Sequence, residues 1–139
     1  MDLHTHQILI IQNKDNLLQY YDTNWESYLF INKKHDTVPY MLDINIYINK
    51  QFNVTDTKCK YLGELTSKKL SMKDNKIKNY QHFFYLVSSE ELNKTYTEEE
   101  FTINNVSYRW FDKNALKANI RAMEVNSDII NAVIELLYG

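Results

Sequence analysis

Asn32 to Val54 reads NKKHDTVPYMLDINIYINKQFNV, and the fold turns on this stretch. Met41, Ile44, Ile48 and Phe52 recur at the spacing of one helical face. The spacing predicts a helix from about Pro39 to Phe52 with that stripe turned inward. Asp36 or Thr37 can cap it, Pro39 is tolerated in its first turn, and Asn53 suits a left-handed stop. Immediately before it, Glu26 to Asn32 (ESYLFIN) is rich in strand formers.

Working outward, Gln7–Gln12 is an apolar run that reads as a buried strand. It forms a hairpin with Leu17–Tyr20 across the turn cluster Asn13-Lys14-Asp15-Asn16. Downstream, Lys58–Leu65, Asn79–Ser88 (NYQHFFYLVS) and Val106–Phe111 (VSYRWF) read as strands, with Lys68–Lys78 a polar loop between the first two. Asp112–Ala122 reads as a helix. Asn126 or Ser127 caps a last helix carrying Ile129, Ile130, Val133, Leu136 and Leu137. Strands and helices alternate irregularly, as in an α/β or α+β chain. Lys58–Lys78 holds seven lysines against Glu64 and Asp74, and Glu90, Glu91, Glu98, Glu99 and Glu100 follow. This reads either as a solvated basic edge with an acidic loop, or as a positive rim for a phosphorylated ligand.

Composition bounds the function. The chain has 139 residues, one domain's worth spanning 1–139, enough to bury roughly two thirds of its surface. Gly63 is the one internal glycine, so no glycine-rich phosphate loop can be built. A net charge of −2 argues against a coat for polymeric nucleic acid. Cys59 is alone, which points to a reducing compartment. His4 and His6 have the one zinc-like spacing, at a terminus expected to fray. No apolar run reaches the length of a membrane span, and Ile8–Ile11 is too short for a signal peptide. The expectation is a cytoplasmic protein, or the cytosolic domain of a membrane-anchored one whose anchor lies outside this chain.

The order of elements resembles the Nudix family over nearly the whole chain. Trp25-Glu26-Ser27-Tyr28-Leu29-Phe30 before the helix, the strand Tyr80–Val87, and Trp110-Phe111-Asp112 opening the penultimate helix carry the resemblance. It implies an α/β/α sandwich around a mixed central sheet. The Nudix signature is G, five residues, E, seven residues, then REUxEExGU, with U a bulky aliphatic and the glutamates holding Mg²⁺ for attack on a diphosphate. The gapless fit runs from Asn32 to Val54. It places Val38 at the first glutamate, Ile46, Tyr47 and Ile48 at REU, and Lys50 and Gln51 at the metal-binding pair. No glutamate lies between Glu26 and Glu64, so no register restores the pair. The expectation is therefore no metal, no cofactor and no Nudix hydrolysis.

A Nudix-like chain without its metal residues is similar to the SMODS-associated Nudix-like domains of bacterial antiphage systems. That resemblance implies a sensor of a nucleotide-derived signal, a cyclic oligonucleotide or an NAD-related molecule, coupled to homo-oligomer formation. Trp25 suits stacking on a base, or an edge position in the core. Tyr28 shares a strand face with Phe30 and can stack, or lie half-buried with its hydroxyl satisfied. Lys33 and Lys34 fall where the signature's loop would wrap a diphosphate, and otherwise read as solvated lysines. His82 and Phe84 share a face of the strongest strand; His82 reads as ligand-binding or as a structural histidine. Arg109, one of two arginines, offers bidentate phosphate recognition or an ion pair with a glutamate. Two other readings stand beside the sensor. One is an interaction or oligomerisation scaffold with no small ligand. The other is a hydrolase with metal ligands relocated to Glu64, Glu90 or Glu91.

Overall fold

The computed structural model describes residues 3–34, 40–70 and 75–139. β1 (Leu3–Asn13) and β2 (Asn16–Asp22) form the expected hairpin, with Lys14 in the left-handed region at its turn. β3 (Ser27–Lys34) leads to α1 (Tyr40–Phe52), whose Ile44, Ile48 and Phe52 are buried, and Asn53 takes a positive φ just beyond it. The cap and first-turn positions Asp36, Thr37 and Pro39, and the side chain of Met41, lie outside the described residues.

β4 (Lys58–Leu70) and β5 (Ile77–Ser88) pair antiparallel along their length. Lys68, Lys69, Leu70, Ile77 and Lys78, expected in a polar loop, therefore lie in strands, and 71–74 of that expected loop lie outside the described residues. The ladder continues there in register, with Lys68, Lys69 and Leu70 opposite Asn79, Lys78 and Ile77. A bulge between Tyr61 and Gly63 interrupts the register, and Gly63 supplies φ +156° there.

The acidic stretch is loop only at Glu98 and Glu99; Glu90 and Glu91 open a helix and Glu100 opens a strand. Ser89 accepts a bond from the Leu92 amide and caps α2 (Glu90–Thr95), whose first-turn glutamates suit its dipole. β6 (Glu100–Ile103) turns through Asn104 and Asn105, both at positive φ, into β7 (Val106–Asp112). Asp112 caps α3 (Lys113–Ala118). The helix expected to run on to Ala122 stops at Asn119, which caps α4 (Ile120–Tyr138) by accepting from Ala122. α4 thus starts before Asn126, and Asn126 marks a kink inside it (φ −148°, ψ 28°).

The seven strands lie in the order β4-β5-β1-β3-β2-β7-β6, with β1 parallel to β5 and the other neighbours antiparallel. Leu9, Ile11, Ile31 and Tyr85 bury one face with α1, while Ile8, Ile10, Phe30 and Phe84 bury the other with α3 and α4. This is an α/β/α sandwich on a mixed sheet. The histidines expected at a loose end sit in a paired strand: parallel pairing to β5 sets His4 opposite Tyr80 and His6 opposite His82.

Candidate functional site

The positions of the signature glutamates come first. Gln51 donates from Nε2 to the hydroxyl of buried Tyr108 at 2.9 Å. Burial pushes the Tyr108 hydroxyl up to about 12. Lys50 is exposed one residue earlier, and Tyr47 lies under the ammonium of Lys33 at 4.2 Å. A hard divalent cation needs carboxylate oxygens; a lysine, a tyrosine and an amide already committed to a phenol do not fit one. Among the described residues no three His, Cys, Asp or Glu side chains gather as a metal-holding group. Of the candidate relocated ligands, Glu64 accepts from Gln81 and Glu91 from Thr55.

On the opposite face of the sheet, a cavity of about 490 Å³ opens between β1, β3, β5 and α4, with the end of β4 as a side wall. Its floor is a row of rings set by the β1–β5 register. Tyr80 and His82 stack at 6.2 Å, and His6 and His82 at 6.0 Å. Phe30 and Ile129 close the back. Lys69 reaches in from β4 and pairs with Asp128 of α4 at 3.0 Å. His82 is buried, and its Nδ1 has no hydrogen-bond partner among the described residues. Burial, then the charge of Lys69, lowers its pKa to about 4, so the ring is neutral at ordinary pH. Burial lowers the pKa of His6 as well.

Trp25 stands at the rim, 51% exposed. Asp22 Oδ1 accepts from the amides of Asn24 and Trp25, and Arg121 of α4 donates from Nε and Nη2 to the Trp25 carbonyl at 3.1 and 2.8 Å. The backbone is pinned and the indole left open.

The structure thus brings together Trp25 and His82; Lys34 is in register with His6 on the neighbouring strand but is not among the residues lining the cavity. The other sequence candidates lie elsewhere. Phe84 is fully buried in the core beneath α4. Tyr28 packs edge-on against Tyr21 and Phe111, and burial raises its pKa. Lys33 is on the α1 face because adjacent strand residues point oppositely. Arg109 pairs with Glu99 and Glu100 at 3.4 and 3.0 Å and lies over Phe111. Sequence reasoning missed His6, Tyr80, Lys69, Asn126 and Arg121. The His6–His82 match needs the parallel register, which no local pattern announces, whereas Asn126 was singled out only as a helix cap.

No family model matches the chain, and no curated protein matches it in sequence. Solved structures share its fold. The mutator protein MutT from Bacillus halodurans superposes with TM-score 0.61 at 12% identity, over 94% of this chain and 82% of that one. A NUDIX hydrolase from Nitrosomonas europaea gives 0.57 at 11%, over 96% and 87%. The NUDIX domain of Shewanella oneidensis NrtR, solved with ADP-ribose, gives 0.58 at 12%, over 97% and 87%. At these identities the likeness is one of fold, and the fold is Nudix-like.

Proposed function

We propose that this chain is a Nudix-like binding domain that takes a nucleotide-derived ligand in the cavity between the sheet and α4 and does not hydrolyse it by the metal-dependent Nudix route. The observation that carries the reading is Gln51. It stands where the signature has a metal-binding glutamate, and its amide is bonded to Tyr108. The ADP-ribose bound by the Shewanella oneidensis domain supports the ligand class. In the full proposal the domain is a sensor, as its resemblance to the antiphage domains implies, and ligand occupancy shifts self-association by linkage.

The test is a thermal-shift screen against ADP-ribose, NAD and cyclic di- and trinucleotides, with and without Mg²⁺, alongside an assay for AMP release. The expected result is stabilisation without metal, about 2.7 kcal/mol for a ligand at roughly 100 times its dissociation constant, and no AMP. Stabilisation that needs Mg²⁺ and is accompanied by AMP release overturns the non-hydrolytic reading. A flat screen favours the scaffold reading, for which the cross-strand pair Leu70 and Ile77, 55% and 72% exposed, is the apolar surface.

A further inference from the structure

We infer that the cavity receives the uncharged end of its ligand, a nucleobase or nucleoside, and leaves any phosphate outside. The inference rests on the binding reading above and says which part of the ligand is recognised.

Charge is the first argument. Lys69 is the one lysine or arginine among the described residues lining the cavity, and its ammonium is already held by Asp128 at 3.0 Å. A phosphate entering there would have to displace a carboxylate from that lysine and then sit beside it. His82 senses both charges with opposite sign, Lys69 favouring the neutral ring and Asp128 the charged one. Neither His82 nor His6 supplies a cation at neutral pH, since burial holds both below their ordinary values. The two arginines are also committed: Arg121 to the Trp25 carbonyl and Glu124, Arg109 to Glu99 and Glu100.

The second argument is the shape and chemistry of what remains. Trp25 offers an open indole at the rim, and the rings of Tyr80, His82 and His6 line the floor. Asn24, Asn32 and Asn126 line the cavity with neutral amides. Stacking surfaces with amide donors and acceptors match a heterocycle, which is flat and carries its polarity at its edges. A phosphate needs convergent unpaired donors with positive charge.

The experiment titrates the chain, without divalent metal, with adenosine, guanosine, cytidine and uridine, each beside its 5′-monophosphate, and with ADP-ribose. Tryptophan fluorescence reports, because Trp25 is open while Trp110 is 8% exposed. The expected result is a nucleoside that binds within about threefold of its monophosphate, with affinity unchanged between about 50 and about 300 mM salt. Trp25→Phe abolishes the quench, while calorimetry still registers binding. Asp128→Asn frees Lys69 and shifts preference toward the monophosphate by about tenfold, now with salt dependence. The inference is overturned if the monophosphate or ADP-ribose binds the unaltered chain about thirtyfold or more tighter than every nucleoside and loses that advantage in salt. That outcome leaves the proposed function standing. It is also overturned if Asp128→Asn leaves the preference unchanged. If no probe binds, the proposed function falls together with it.

Discussion

Gln51 donates to the Tyr108 hydroxyl, and the two residues are unequal partners. Tyr108 is 2% exposed, so its hydroxyl has little access to water, whereas Gln51 is only half-buried. Gln51→Leu strands the buried hydroxyl and should cost about 1–3 kcal/mol in chemical denaturation. Tyr108→Phe removes the buried group itself and should cost less, about 1 kcal/mol. His82 carries a pH dependence of definite sign. Its ring titrates near 6.5 when unfolded and at about 4 when folded. Between those values the unfolded chain holds the extra proton. Stability is therefore full above the unfolded value and falls as pH drops toward the folded one, by something on the order of 3 kcal/mol. His6 shifts in the same direction. Denaturation midpoints across that window should fall for the unaltered chain and fall less for His82→Gln.

Most elements were legible because their periodicity is strong: α1 from its buried stripe, β5 from its aromatic run, α3 from Asp112. Those missed were short or divided. β6 has four residues, too few to display alternation, and the Asn104-Asn105 turn was its only local sign. α2 has six, and its cap bond from Leu92 to Ser89 was overlooked among the glutamates. Asn119 ends one helix and caps the next, which a continuous helical pattern conceals. Asn119→Ala should lose the bond from Ala122 and cost about 1 kcal/mol, with the helical signal of α4 melting earlier in circular dichroism. Gly63 is the corresponding point in the sheet. At φ +156°, an added Cβ would lie 3.3 Å from Leu136 Cδ2. Gly63→Ala should destabilise by about 1–3 kcal/mol, measured as a lower midpoint in denaturant, chiefly through backbone strain at the bulge.

At the scale of the whole molecule, the fold was readable from the order of elements, while the cavity was not. Its walls come from β1, β3, β4, β5 and α4, residues far apart in the chain, and only tertiary register decides that His6 meets His82 and Lys69 meets Asp128. The absence of the signature glutamates could be read from the sequence because a signature has fixed spacing. The partner Gln51 found in Tyr108, 57 residues away, could not.

The strand order has one more consequence. Lys58, Lys60, Lys68 and Lys69 belong to β4 at one edge of the sheet, whereas Glu98, Glu99 and Glu100 gather at β6 on the other. A molecule of net charge −2 thus carries charge of opposite sign at its two edges. Close to its isoelectric point of about 6.1, attraction between unlike edges of neighbouring molecules outweighs their weak mutual repulsion. The protein should therefore be salted in: solubility near that pH should rise with the first additions of salt, and Lys60→Glu with Lys68→Glu should flatten the rise.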